Sequence, residues 1–157
     1  MQLSEIFVGL GQDNLAQLLR SISIGKLKTY QLYERVKARL NAHRVNGELL
    51  RKAAPRLWTR LEEKDEELAA DLGQAILVSH LDMIQAVLNH LGVPHEEGFF
   101  AKDADLSAHL KDGWQQETFD KFRASFPESV LLFYINHLGW EVLKAGSVFL
   151  PERQAEA

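Results

Sequence analysis

The sequence predicts an all-α fold, a compact bundle of about six to eight helices in a single domain. Apolar residues recur three and four positions apart along nearly the whole chain, as they do on one face of a helix, and strand-like alternation is absent. A length of 157 residues suits one hydrophobic core. Glycine and proline end the longest apolar stretch, at Leu91-Gly92-Val93-Pro94. We therefore expect one domain over residues 1–150 and a flexible tail over 151–157.

The first predicted helix carries Leu15, Leu18, Leu19 and Ile22 at i, i+3, i+4 and i+7, behind Asp13 as its cap. The preceding Gly9-Leu10-Gly11 lacks the third glycine and the lysine of phosphate-binding loops, and is interpreted as a loop. Leu32, Val36 and Leu40 predict a second helix. A third stripe runs from Leu50 to Leu61, with Pro55 expected to kink or restart the helix.

A long central helix is predicted from Leu68 to Leu91, because its apolar stripe is broad enough to be covered by neighbours on several sides. Its polar residues Asp82, Gln85 and Asn89 share one narrow face. Such a stripe could line a buried polar site, but it more often marks the side left in water, and the second interpretation is favoured.

The last third of the chain predicts three more helices. A short one begins at Asp103 or Asp105 and stops near Gly113, and another carries the aromatic face from Trp114 to Phe126. Ser125 and Glu128 have capping-box spacing before a final helix over Pro127 to Lys144. The apolar run from Val130 to Ile135 should lie deep in the core.

Four residues recur 47 positions apart, since Asn89-His90-Leu91-Gly92 is repeated as Asn136-His137-Leu138-Gly139. The spacing is compatible with a duplicated helix pair. A third copy is missing, however, and Leu-Gly after a polar pair is also typical of helix ends. We favour shared helix-ending chemistry over duplication.

Composition excludes several classes of protein. The longest apolar run has six residues, whereas a membrane-spanning helix needs about 20. Without cysteine there is no disulfide framework and no thiolate metal site. The start, Met1 to Glu5, lacks the basic region of a signal peptide. We therefore expect a cytoplasmic protein that does not engage membranes.

Charge divides the chain into a basic and an acidic part. Residues 26–60 carry ten lysines or arginines against two acids, a net charge of +8, whereas residues 61–157 carry seven bases against eighteen acids, a net charge of −11. The total is only −4. A basic segment of this kind can bind phosphates, or it can pack beside the acidic helices and be matched within the molecule. The second interpretation is favoured.

If the basic segment does bind nucleic acid, its short helices could form a helix-turn-helix unit or stack bases on an exposed tryptophan. The candidate residues are Lys26, Lys28, Arg35, Lys37, Arg39, Arg51, Lys52, Arg56, Trp58 and Arg60.

A divalent metal site is a further hypothesis, built on His90, His95 and Glu96 near the end of the central helix. Nitrogen and oxygen ligands of these types suit such ions. No two histidines stand three or four residues apart, however, so helical pairing of histidine ligands is missing.

We predict from these observations a binding or interaction module without catalytic residues or cofactor, whose partner is another protein or a second copy of the chain. The alternatives are a nucleic-acid-binding regulator that uses residues 26–60 and a metal-dependent helical-bundle enzyme.

Overall fold

The computed structural model describes residues 1–22, 54–99 and 106–152, and in these ranges it confirms an all-α bundle. Over this part of the chain there are seven α-helices, one 3-10 turn, and no strand beyond an isolated bridge between Glu96 and Phe99. The helices are α1 (Leu3–Leu10), α2 (Gln12–Ser21), α3 (Ala54–Glu62), α4 (Glu66–Ser79), α5 (Leu81–Leu91), α6 (Trp114–Phe122) and α7 (Glu128–Leu143). None of the described helices is long and apolar enough to cross a membrane.

Helix α1 was not expected, and Gly9-Leu10 belongs to it rather than to a loop. Leu3, Ile6, Phe7 and Leu10 are all buried at the same i, i+3, i+4, i+7 spacing that predicted α2. Gly11, at φ 94°, ends α1 and begins α2, which explains why a glycine stands there. Asp13 is therefore not the cap of α2 but lies in its first turn, where a carboxylate still favours the positive end of the helix dipole.

Helix α3 begins at Ala54 and has Pro55 in its first turn, where a proline gives up no intrahelical hydrogen bond. The residues before Ala54 lie outside the described part of the chain, so the predicted kink or restart of a helix at Pro55 stays a prediction. Leu57 and Leu61 from the predicted stripe are buried. The helix expected around Leu32 to Leu40 lies outside the described residues.

The predicted central helix is two helices, α4 and α5, separated at His80. The backbone of His80 leaves helical geometry at φ −132° and ψ 41°, and its ring bonds to the backbone of Ser21. The apolar spacing continues across the break, which is why the sequence indicated one long helix. Helix α5 ends at Gly92 in the left-handed conformation, as expected.

The final helix, α7, has the predicted extent, and its residues Val130 to Ile135 are all buried. Its N-cap is Pro127 rather than Ser125, so the predicted capping box does not form. Glu128 instead lies 3.5 Å from Arg123. The short helix expected before Gly113 is a 3-10 turn over Ser107–His109, and its predicted start at Asp103 or Asp105 lies outside the described residues.

The two Asn-His-Leu-Gly segments occupy different positions in their helices. Gly92 ends α5, but Gly139 lies inside α7, where a Cβ atom would come within 3.4 Å of the Trp114 ring. Shared helix-ending chemistry is therefore the wrong interpretation for the second segment, whose glycine allows close packing.

Helices α1 and α7 organise the core. Helix α7 packs against α1, α2 and α6, while α1 also contacts α3 and α4. Phe7 of α1 stacks on Phe133 of α7 with ring centroids 4.9 Å apart. Because α1 contacts both α4 and α7, it forms the base of the space between them.

A C-terminal strap, residues 146–152, crosses the opposite side of α7. The Asn136 side chain accepts a hydrogen bond from the Phe149 N–H at 2.7 Å and donates to the Phe149 carbonyl at 3.1 Å. The Gln116 side chain of α6 likewise accepts a hydrogen bond from the Glu152 N–H at 2.8 Å and donates to the Glu152 carbonyl at 3.1 Å. Pro151 and Glu152, expected to fray, belong to this ordered strap, and residues 153–157 lie outside the described residues.

Candidate functional site

A cleft with a volume of about 770 Å³ opens between α4 and α5 on one side and α7 on the other. This volume lies within the range of small-molecule binding sites, about 300 to 1,000 Å³. The α4–α5 wall is mostly apolar, and its aliphatic residues are Leu77, Val78, Leu81 and Ile84. Leu3 of α1 lies at the base.

Gly73 brings the two walls together at the bottom of the cleft. A Cβ atom added there would lie 3.4 Å from the Phe133 ring and 3.5 Å from the Leu3 side chain. Ala70 and Gln74, both exposed, also line the α4 wall of the cleft.

The α7 wall carries the polar groups of the cleft. Tyr134, His137 and Glu141 stand at i, i+3 and i+7, a spacing that places them along one face of the helix, and Lys144 follows the last helical residue. Trp140 also lines the cleft. Its indole N–H donates to the Met1 carbonyl at 2.9 Å, and its ring meets the His137 ring edge-on at 5.6 Å. Both aromatic rings are thereby held in place.

Two buried polar atoms of this wall have no hydrogen-bond partner, the hydroxyl of Tyr134 and Nδ1 of His137. Nδ1 lies 3.5 Å from a Glu141 carboxylate oxygen but makes no hydrogen bond to it. Four other buried atoms in the described part of the chain are also unpartnered, and none belongs to a residue that lines the cleft: Ser4 Oγ, Glu66 Oε2, His80 Nε2 and Thr118 Oγ1.

Burial shifts the pKa of both groups so that both are uncharged near neutral pH. It lowers the pKa of His137 to about 4. It also raises the pKa of Tyr134 well above its usual value, with a smaller contribution from the negative charge of Glu141. The wall of the cleft therefore contains a buried neutral imidazole and a buried neutral phenol, groups that can each donate and accept hydrogen bonds.

A tight turn after α5 places Phe99 at the mouth of the cleft. Glu96 and Phe99 exchange backbone hydrogen bonds, and the two residues between them, Glu97 and Gly98, both have positive φ, as in the turns of β-hairpins. His95 supports this turn, because its Nδ1 accepts from the Gly98 N–H at 3.0 Å. The ring of Phe99 is left 57% exposed.

The predicted metal ligands are not brought together. Nε2 of His95 pairs with the Asn89 side chain at 2.7 Å, and its Nδ1 accepts from the Gly98 N–H, so both ring nitrogens of His95 are used in hydrogen bonds within the protein. His90 instead meets the Phe122 ring edge-on and lies 3.7 Å from Glu117. Glu96 is exposed, and no group of three metal-ligating side chains forms within the described ranges.

Most of the predicted nucleic-acid-binding residues lie outside the described residues, namely Lys26, Lys28, Arg35, Lys37, Arg39, Arg51 and Lys52. Arg56, Trp58 and Arg60 are on α3. Trp58 is partly buried and packs against the core, which reduces the ring surface left for stacking on bases. The nucleic-acid surface stays a prediction.

The polar stripe of α5 lies at the surface, as favoured from the sequence, since Asp82 and Asn89 are exposed and Gln85 is half-buried. Sequence reasoning did not select Tyr134 or His137. A signal was present, because these two residues and Glu141 form an i, i+3, i+7 polar stripe within a helix whose other residues are mostly apolar and buried.

No protein-family model, no curated protein and no solved structure matches this chain.

Proposed function

We propose that this protein is a binding module that holds a small amphipathic molecule in the cleft between α4–α5 and α7. The observation that supports this most directly is the pair of unpartnered atoms, Tyr134 Oη and His137 Nδ1, on a cleft wall. Buried polar groups in folded proteins are nearly always hydrogen-bonded, and one that lacks a partner costs about 1 to 3 kcal/mol. Both atoms have almost no solvent-accessible surface, so a ligand would reach them only after a small movement of the side chains around them, and bonding to both would then recover this free energy.

The opposite wall indicates what the rest of the ligand is like. Leu77, Leu81 and Ile84 offer aliphatic surface and no hydrogen-bonding side chain, so they suit a hydrocarbon or aromatic body. A molecule with an apolar body and one polar head would bury its body against α4–α5 and place its head beside Tyr134 and His137.

The chemistry of the two polar groups supports binding rather than catalysis. General acids and bases act best when their pKa lies near the working pH. The pKa of His137 is lowered to about 4 and that of Tyr134 is raised, so neither group exchanges protons readily at neutral pH. Both are suited to fixed hydrogen bonds. This proposal keeps the binding module expected from the sequence but replaces its protein partner or second copy with a small molecule.

The proposal is tested with three probes that share an eight-carbon chain and differ in their heads: octylamine, octanol and octanoate. At least one should bind with one-to-one stoichiometry in isothermal titration calorimetry. Ala70→Trp narrows the exposed outer wall of the cleft without touching the core, and we expect it to weaken binding about tenfold, a loss of about 1.4 kcal/mol.

Ala124→Trp is the matched control, because Ala124 is also exposed but does not line the cleft. The affinity of this variant for the octyl probes should equal that of the unaltered protein. The proposal fails if none of the probes binds, or if both tryptophan variants bind as well as the unaltered chain. Sedimentation at several concentrations would show at the same time whether the chain associates with itself.

A further inference from the structure

The strap lies in a groove that binds the backbone of an extended segment. The Asn136 side-chain amide bonds to both backbone groups of Phe149. Three residues further along the strap, the Gln116 amide bonds to both backbone groups of Glu152. A neighbouring β-strand would supply pairs of bonds of the same kind. Because these bonds use backbone atoms of the strap, they fix its path and its direction whatever its side chains are.

A notch at Gly9 of α1 receives one side chain of the strap. A Cβ atom added to Gly9 would lie 2.5 Å from a methyl carbon of Val148 and 2.9 Å from its Cβ atom. Carbon atoms in contact stay about 3.5 to 4.0 Å apart, so only a glycine leaves room for Val148. Backbone bonds combined with a pocket for one side chain are how proteins recognise extended peptides.

The strap is attached at the surface of the protein. Of its seven residues four are exposed and three are half-buried. It is preceded by a hinge, residues 144–145, in which Lys144 has the left-handed conformation at φ 53°. A residue with a Cβ atom is strained in this conformation. The strap can therefore leave its groove without opening the core, and the strain at Lys144 is then released.

Apolar surface is exposed on both sides of the hinge. Leu143, the last residue of α7, is 39% exposed, and Leu150 of the strap is 59% exposed. Of the described large apolar side chains, only Phe99 is exposed besides these two. A second copy of the chain that approached this end of α7 would cover both leucines, which a single copy leaves in water.

We infer that two copies of this protein associate by exchanging straps, so that residues 146–152 of each copy lie in the groove of the other. The exchange keeps every bond between strap and groove, because both copies carry the same sequence. It must offset the loss of freedom on association, and the release of Lys144 and the burial of Leu143 and Leu150 favour it. The inference does not depend on the ligand proposed for the cleft.

Engineered cysteines test the exchange, since the chain has no cysteine of its own. Gly9→Cys and Val148→Cys are made in separate chains, mixed in equal amounts and oxidised. The two positions are close enough for a disulfide, which needs Cβ atoms about 3.5 to 4.5 Å apart, once the strap has moved slightly. Only a strap bound in the other copy brings these cysteines together. Intact mass spectrometry should show the mixed disulfide in several-fold excess over the two symmetrical ones combined.

Leu150→Cys is the matched control for Val148→Cys, because it lies on the same strap but its side chain is exposed. Its mixture with Gly9→Cys should give mixed disulfides close to the half expected from random pairing. No excess in the first mixture, or the same excess in both mixtures, would overturn the exchange.

Two hinge variants provide a second test that does not require Gly9→Cys to fold. Lys144→Gly and Lys144→Val remove the same charge from an exposed residue. Glycine adopts a positive φ freely, whereas a β-branched residue strongly disfavours it. Because the exchange lets residue 144 leave this conformation, Lys144→Val should dimerise at least about tenfold more tightly than Lys144→Gly, a difference of about 1.4 kcal/mol. Sedimentation velocity would measure both dissociation constants. Equal constants, or monomers at every concentration in both variants, would overturn the inference.

Discussion

Each side of α7 contains a buried polar side chain. The two side chains are equally buried but differ in the hydrogen-bond partners around them. On the strap side, Asn136 is 4% exposed and makes three hydrogen bonds, to the Leu132 carbonyl and to both backbone groups of Phe149. On the cleft side, Tyr134 is also 4% exposed, yet its hydroxyl has no partner. Burial alone therefore does not explain the difference.

The difference lies in what covers each side. The strap brings backbone N–H and C=O groups to Asn136, in the way that a neighbouring strand would. The cleft leaves apolar side chains opposite Tyr134 and His137. On the strap side the chain itself supplies the hydrogen-bond partners of the buried polar side chain. On the cleft side such partners would have to come from a ligand. Three changes should separate these roles, and their expected effects decrease in the order given.

Asn136→Leu should have the largest effect on stability. It keeps the approximate size of the side chain but removes its three hydrogen bonds and leaves the Phe149 backbone groups unpartnered, so we expect a loss of about 3 to 4 kcal/mol. Urea denaturation followed by circular dichroism would measure it. Gln116→Ala breaks the other attachment of the strap, but these bonds are exposed and its cost should stay below about 1 kcal/mol. If the two variants lost the same free energy of unfolding, the attachment of the strap would not depend on the burial of its hydrogen bonds.

Lowering the pH should reduce the stability of the folded protein through His137, on the cleft side of α7. Its pKa is about 4 in the folded protein and 6.5 in the unfolded chain, so the unfolded chain takes up a proton first as the pH falls. This contribution to stability is complete above pH 6.5 and is lost as the pH falls towards 4, by up to about 3 kcal/mol. Burial also lowers the pKa of His80, so the effect of His80 on stability has the same sign as the pH falls.

The free energy of unfolding, measured by urea denaturation between pH 7 and 4, would show this loss. His137→Gln should make the decline shallower, because glutamine does not titrate. His109→Gln is the control, since His109 lies in the 3-10 turn and does not line the cleft. A decline of the same steepness in both variants would mean that the His137 ring is not buried in the neutral form.

The sequence predicted the fold class because helical periodicity is a local property that the spacing of leucines expresses directly. Gly92 was interpreted correctly for the same reason, since a glycine that ends a helix acts through its own backbone. The break at His80 was missed because the apolar spacing continues on both sides of it, so local spacing does not record it. The site was missed because an unpartnered Tyr134 depends on which groups α4 and α5 place around it, and no local pattern in the sequence records that.

Tyr134→Phe should have the smallest effect on stability, and one of opposite sign. Removing a buried hydroxyl that has no partner should leave the ring packing unchanged and stabilise the protein by about 1 kcal/mol in urea denaturation, while the octyl probe that binds the unaltered protein binds several-fold more weakly. Thr118→Val is the matched control, because the Thr118 hydroxyl is also buried and unpartnered but lies outside the cleft. It should stabilise the protein to a similar extent and leave the binding of that probe unchanged. If Tyr134→Phe instead destabilised the protein by more than about 1 kcal/mol, the hydroxyl would have a partner within the folded chain, and the cleft side of α7 would be as complete as the strap side.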